Sequence, residues 1–413
     1  MLKKVVIENY RSCLRTSFDC HPNLSVLIGP NSSGKTNILQ AIMLLNKMTQ
    51  EPERRPSYED AITVGSRIKS LFLFGRKETR FSATVNTYTN ASNNDVMVKS
   101  QQKWLFMQLN GKHVSSEFPL FGASHLLGRM KEDHYFHFAR SSMYYRHNII
   151  RMEKELPKWA IIRLSNIARF CEGIRYYGAS QFTNPGACPV SLEIETEGDR
   201  RRLSRHSGHA RILYQMYSAY KSENSSRYNQ FLNIVGPDGL RLIDRIKFKE
   251  VLTSSVEYSV RVGGKVKVHR LHKLLVIPQF QIGKQKLSPN QLSEGTFKTL
   301  ALLFYIITEN STALLIEEPE VCIHHGLLSS ILELIKTHSR HKQMIVSTHS
   351  DYVLDQVNPE NVFRITFDKL SGTIVRHIRK TMTSKEFSAL REYLDRVGNL
   401  GEYWREGGLG DRP

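Results

Sequence analysis

The sequence predicts an α/β protein: a mixed β lobe, a parallel-sheet core around a phosphate-binding loop, and a mostly helical inserted subdomain. Three observations carry this expectation. The apolar run LSVLI leads into GPNSSGKT (Gly29 to Thr36) and then an amphipathic helix, the strand-loop-helix order of a P-loop. Residues 292–363 alternate helical segments with apolar strands, the rhythm of a parallel sheet covered by helices. Between them, residues 124–235 read as helical and rich in aromatics, interrupted at Pro157, Pro185 and Pro189.

Each element follows from its residues. VVIENY, CLRTSF and LSVLIG are short β-prone runs before the loop, and the helix from Thr36 to about Lys47 turns Ile38, Leu39, Ile42 and Leu45 inward. Prolines and charges from Thr49 to Ile68 predict a loop, and RFSATVNTYT and WLFMQL predict further strands. The insert lacks sustained heptads, so no long coiled-coil arm is expected. From Ser255 strands return around Gly263-Gly264, a hairpin signal. A helix after LSEGT, the strand ALLIEEPE, a helix through SSILELIK and the strand MIVSTHS follow. A last helix, Ser384 to Val397, has a capping box at Thr383 and Glu386, and the tail GGLGDRP is expected to be loose. The corresponding divisions are residues 1–110, 111–250, 251–370 and 371–413.

Composition narrows the functions available. A chain of 413 residues with 40% hydrophobic content can bury a large core, and no stretch approaches the roughly 20 apolar residues of a membrane span. Glu8 and Arg11 stand where a signal peptide would have its apolar centre, so a cytoplasmic protein is expected. Five cysteines without a C-x-x-C pair favour reduced, buried thiols over zinc or disulfides. The formal charge of +19 favours a polyanionic partner, nucleic acid first, or else a merely solubilising basic surface.

The candidate site is built from separated segments. In the loop, backbone N–H groups of Gly29, Asn31, Ser32, Ser33, Gly34 and Asn37 can face phosphates, Lys35 can reach the β/γ-phosphates and Thr36 can hold Mg²⁺. The strand run Leu314 to Ile316 ends in Glu317-Glu318, where one carboxylate suits a metal shell and its neighbour can polarise water. His349, at the end of the next apolar strand, can hydrogen-bond a phosphate or that water; a lone histidine there is more often an ordinary strand-end residue, but its place one helix after the Glu317-Glu318 strand favours the functional reading.

Taken in order, Arg11, the phosphate loop, LSEGT, EEPE and STHS resemble ABC-type ATPases of the RecF, SMC and OLD group. Where that group reads E-P-E-x-x-L-H-P, this chain reads EPEVCIHH, with His325 in place of proline. The resemblance implies ATP and Mg²⁺ as ligands, with Thr36 and Glu317 at the metal, Glu318 as catalytic base, His349 as switch residue and Arg11 facing the nucleotide. It further implies that Ser293 and Gly295 complete the site of a second copy, hence an ATP-sandwich homodimer or a higher assembly of dimers. The glutamine that usually links Mg²⁺ to the other lobe has Gln101 and Gln102 as its nearest candidates.

The compact layout is similar to the ATPase subunits of anti-phage systems such as Septu, PARIS and RloA, which work beside a separate effector. With about sixty residues following His349, the appended Toprim nuclease of OLD proteins is not expected. A RecF-like repair or clamp ATPase is the alternative. A transporter motor is disfavoured by the distance from phosphate loop to signature and by LSEGT lacking the final glutamine of LSGGQ. Candidate nucleic-acid contacts are Arg200, Arg201, Arg202 and Arg205, and the hairpin residues Lys265 and Lys267; a solvated turn and an aggregation-blocking edge are the respective plain readings. The aromatics Tyr135 to Tyr145 suit a helical core more than a stacking surface.

Overall fold

The computed structural model describes residues 1–49, 53–54, 65–74, 77–89, 96–107, 113–116, 155–195, 208–222, 226–260, 266–321, 323, 325–396 and 398–409. The described chain forms two compact units, one of Met1–Tyr176, Asn310–Glu318 and Ile335–Pro413, the other of Tyr177–Glu309 and Pro319–Leu334. These units divide the chain at other points than the sequence suggests, because residues 310–318 leave the surrounding segment to join the first unit's sheet.

The strands are, in chain order, β1 (Leu2–Tyr10), β2 (Cys13–Asp19), β3 (Leu24–Ile28), β4 (Glu53–Arg54), β5 (Arg67–Phe74), β6 (Lys77–Thr89), β7 (Val96–Met107), β8 (His113–Ser116), β9 (Ile174–Gly178), β10 (Leu192–Glu195), β11 (Arg245–Val260), β12 (Val266–Ile282), β13 (Gln285–Leu287), β14 (Ala313–Glu317), β15 (Gln343–Thr348), β16 (Val362–Asp368) and β17 (Gly372–His377). The helices are α1 (Lys35–Lys47), α2 (Lys158–Glu172), α3 (His209–Lys221), α4 (Ser226–Val235), α5 (Glu294–Ile307), α6 (His325–Ser339), α7 (Asp351–Asp355), α8 (Ser384–Arg396) and α9 (Leu400–Arg405).

Two sheets build the first unit. The antiparallel lobe runs β2-β1-β5-β6-β7-β4, with β8 on β7. The core sheet runs β17-β16-β3-β15-β14-β9. Its centre is parallel, β16 with β3, β3 with β15 and β15 with β14, and β17 is antiparallel to its neighbour β16. All residues of β3 and β15 are buried, as expected of strands covered on both faces, which explains the apolar residues that fill the middle of each without polar alternation. Leu39, Ile42 and Leu45 of α1 share one core with Leu164 and Ile167 of α2 and with Leu27, Leu315 and Ile345 of the sheet. Asn46 ties the ends of the two helices, donating from Nδ2 to the carbonyls of Cys171 and Glu172 at 3.0 Å each.

Polar stitching fixes the lobe to the core sheet. The buried Gln343, at the start of β15, donates to Leu2 O (2.8 Å) and His21 O (2.9 Å) and accepts from Leu2 N (3.1 Å). At the other end, Thr373 N donates to Ser12 O (2.8 Å) and Thr16 Oγ1 to Thr373 O (2.6 Å), so β17 closes against β2.

The second unit pairs α3, α4 and α5 with the antiparallel sheet β10-β12-β11, extended by β13 on β12. Helix α5 is buried from Phe297 to Ile307, and Phe304 meets Phe231 of α4 edge-on at 5.4 Å.

Several expectations need correction. Glu53–Arg54 pairs with β7, and β5 begins at Arg67, both inside the stretch read as a loop. The hairpin starts at Arg245 instead of Ser255, because Ile246 and Phe248 already alternate inward with exposed lysines. Ahead of the tail, α9 adds a short helix that no expected element covered and buries Leu400 and Trp404; within GGLGDRP Leu409 is buried, and residues 410–413 lie outside the described residues. Helix α8 ends at Arg396 and carries the expected box, Thr383 N donating to Glu386 Oε2 (2.6 Å) and Glu386 N to Thr383 Oγ1 (3.3 Å). Cys13, Cys20, Cys171 and Cys188 are free and buried; Cys322 lies outside the described residues. No helix among the described residues is long and apolar enough to cross a membrane.

Candidate nucleotide-binding site

The site lies at the carboxyl ends of β3, β15 and β14, where the parallel strands release their chains into loops. After β3 the loop runs into α1, whose N-cap Gly34 offers no side-chain cap and whose first turn holds no acidic residue. The N-terminal N–H groups of α1 and its positive dipole end could therefore hold an anion. Gly34 takes φ +100°, a region open to glycine, and a Cβ there would crowd Thr373 Oγ1, with Ser12 Oγ at 2.7 Å and Thr373 Cγ2 at 2.9 Å. Ser32 also has positive φ, and Gly29 passes so close to Ile365 O that no side chain fits. Asn31 stands exposed at the rim, and the Lys35 ammonium donates to the loop carbonyls of Gly29 (2.7 Å) and Pro30 (3.0 Å).

The second carboxylate segment meets this loop directly. Glu317 ends β14 opposite Ser347 of β15. Its Oε1 accepts from the Thr36 hydroxyl and its Oε2 from the Tyr176 hydroxyl, so both oxygens are held. Burial, then the hydrogen bond and charge of Glu317, push the Tyr176 phenol well above its ordinary pKa, which keeps it a proton donor. Glu318 follows at φ +45°, a left-handed conformation, with its N–H donating to Ser347 O (2.9 Å). Its Oε1 lies 3.3 Å from His349 Nδ1. The sequence-derived pair of carboxylates and the strand-end histidine are thus brought together.

Arg11, itself at φ +50°, lies along α1: its Nη1 donates to Asn37 Oδ1 (3.4 Å) and to Gln40 Oε1. Asn37 Nδ2 in turn donates to Ser12 Oγ (2.6 Å), which shares a hydrogen bond with Thr373 Oγ1 (2.8 Å), and Thr373 Oγ1 donates to Ser33 O (3.1 Å). Tyr176, Gln40, Ser12 and Thr373 carried no motif; only their neighbourhood in the fold reveals them.

The donor set fits Mg²⁺. Thr36 and Glu317 present a hydroxyl and a carboxylate, hard oxygen ligands, at one point beside a phosphate loop, and the buried hydroxyls of Ser33 and Ser347 have no hydrogen-bond partner in the protein. No cluster of three or more His, Cys, Asp or Glu suited to a metal occurs among the described residues, as expected where phosphate oxygens supply the remaining ligands.

Ser293 and Gly295 belong to the second unit. Ser293 caps α5, its Oγ accepting from Thr296 N at 3.2 Å, and Gly295 lies in the first turn. Glu294 pairs at 2.7 Å with Lys298, whose side chain is 1% exposed. Gln101 and Gln102 lie on β7 opposite Thr84 and Ala83, and their side chains are outside the described residues. Also outside are Arg200, Arg201, Arg202, Arg205, Lys265, the Gly263-Gly264 turn, the aromatics of 135–145 and the side chain of Lys267. Lys267 itself pairs with Ser259 across the hairpin.

Two family profiles match the chain: "AAA ATPase domain" over residues 1–170 and "AAA domain, putative AbiEii toxin, Type IV TA system" over residues 200–355. Among curated proteins, the DNA replication and repair protein RecF of Staphylococcus haemolyticus and that of Lactococcus lactis are each 46% identical over 44 residues. That stretch is 11% of this chain and spans only 12% of either relative's length. Among solved structures, the SMC head domain from Thermotoga maritima is 12% identical over 91% of this chain and 98% of its own, with a TM-score of 0.36. The SMC head domain with an extended coiled coil bound to the C-terminal domain of ScpA, from Pyrococcus furiosus, is 12% identical over 96% and 99%, with a TM-score of 0.43. At such scores these two likenesses carry no weight beside the site's own geometry.

Proposed function

We propose, for a chain that is an ABC-type ATPase of the RecF/SMC group, that the unit-one site hydrolyses ATP and that two copies close around two ATP molecules to do so. The observation that carries this reading is the meeting of Thr36, Glu317, Glu318 and His349 at the carboxyl ends of three neighbouring strands. The loop N–H groups and Lys35 would hold the phosphates, Lys35 exchanging its carbonyl partners for phosphate oxygens. Thr36 and Glu317 would hold Mg²⁺, which when bound neutralises charge on the β- and γ-phosphates. Glu318 would take a proton from water as its oxygen attacks the γ-phosphorus, with ADP leaving on the bridging oxygen, and His349 would bond Glu318 or the γ-phosphate. Ser293 and Gly295 would serve the partner's nucleotide, the role that the resemblance of LSEGT to the family signature implies.

At the cellular level we favour the ATPase subunit of an anti-phage complex that acts with nucleic acid and governs a separate effector. Its supports are the net charge of +19 and a profile whose description includes a toxin system. The local identity to RecF favours the second reading, a DNA repair or clamp ATPase. Mass spectrometry of what co-purifies with the native protein separates them, through an effector polypeptide in one case and DNA alone in the other.

Glu318→Gln tests the chemistry. Phosphate release is expected to fall by about 100-fold or more, the usual weight of a general base, while size-exclusion light scattering shows an ATP-dependent dimer. Wild-type turnover in this variant would remove Glu318 from the base role. A monomer under all nucleotide conditions would sink the sandwich.

A further inference from the structure

We propose that Tyr176 is a positioning residue for the metal-side carboxylate. The inference rests on the ATP site proposed above and goes further by assigning a residue that no motif marks.

The argument is geometric. A carboxylate at a strand end can rotate about its side-chain torsions, and one oxygen bonded to Thr36 does not fix the plane of the group. The Tyr176 hydroxyl bonds the other oxygen, so the plane is set from two sides. Tyr176 can do this because β9 is the edge strand beside β14 in the core sheet. Strand neighbours on the same face bring their side chains together, and the phenol is long enough to reach past the strand end.

Tyr176, Glu317 and Thr36 all belong to the first unit, so both bonds to the carboxylate are internal to it. Outer partners that orient a metal ligand in this way typically govern 10- to 100-fold in metal affinity.

The test uses the full chain and a fluorescent ATP analogue, titrated with and without Mg²⁺. Tyr176→Phe keeps the ring and removes only the hydroxyl. Nucleotide affinity in EDTA is expected to match wild type, because the phosphate loop is untouched, while the Mg²⁺ concentration giving half-maximal enhancement rises about 10-fold. Tyr176→Leu, which also removes the hydroxyl, should shift it in the same direction, and serves as the reading if Tyr176→Phe fails to fold. Mg²⁺ curves for both variants superimposing on wild type would overturn the proposal. A wild-type protein whose nucleotide binding ignores Mg²⁺ would instead overturn the ATP site itself.

Discussion

The closure of β17 on the phosphate loop makes a quantitative prediction through Gly34 and Thr373. Gly34→Ala places a Cβ at φ +100°, a backbone cost of about 1–2 kcal/mol. The new methyl also displaces Thr373, whose hydroxyl bonds Ser33 O and Ser12 Oγ, at about 1 kcal/mol for each lost bond. Residual overpacking adds about 1 kcal/mol, for a total near 4 kcal/mol. Thr373→Ala alone forfeits the same two bonds and costs about 2 kcal/mol. In the double variant both crowded Thr373 atoms are gone and the bonds are lost only once, so about 3–4 kcal/mol is expected against about 6 for additive effects. The coupling of about 2–3 kcal/mol is measurable by urea unfolding followed by tryptophan fluorescence. All three tryptophans, Trp104, Trp159 and Trp404, belong to the first unit, so the probe reports the unit that holds the loop. Additivity within about 0.5 kcal/mol would refute the contact between β17 and the loop as the reason for glycine at 34.

Two further outcomes are expected. His209, packed against Phe182 and Phe297 at 5.9 and 5.1 Å, has its pKa lowered by burial, so its unfolded form binds the proton more readily. The second unit should keep its full stability above about pH 6.5 and lose part of it as pH falls toward the folded pKa. Hydrogen exchange of the α3 amides checks this, and His209→Phe should abolish the dependence. Gln343→Leu strands Leu2 N, Leu2 O and His21 O without their side-chain partner and should lower first-unit stability by about 2–3 kcal/mol in the same fluorescence assay; a loss below about 0.5 kcal/mol would show the stitch to be dispensable.

What was legible in the sequence is what chemistry ties to residue type. Glycine and lysine in a phosphate loop, paired carboxylates after an apolar run, and a serine before a helix are required by phosphate, metal and helix end, so Gly34, Lys35, Thr36, Glu317 and Ser293 could be found without a fold. Tyr176 and Thr373 act through sheet order: β9 borders β14 and β17 folds back to β2 across some 360 intervening residues, as Ser12 and Thr373 show. No local pattern encodes such adjacency. The early start of β11 was different, since Ile246 and Phe248 alternate with Lys247 and Lys249 in the usual period of two. The helix α9 escaped because six residues with two apolar anchors give no periodic signal.

The paired carboxylates also explain why the site needs a strained residue. In an extended strand neighbouring side chains point to opposite faces, so Glu317 and Glu318 could not both serve one site if β14 continued straight. The strand ends at Glu317, and the left-handed turn at Glu318 redirects the second carboxylate toward His349 while its N–H stays bonded to Ser347 O. That conformation costs about 1–2 kcal/mol for a residue with a Cβ, where glycine would cost nothing. Stability alone would therefore select glycine at 318. A glutamate held there supports the proposed role of its carboxylate, an inference that runs from the observed backbone to the function.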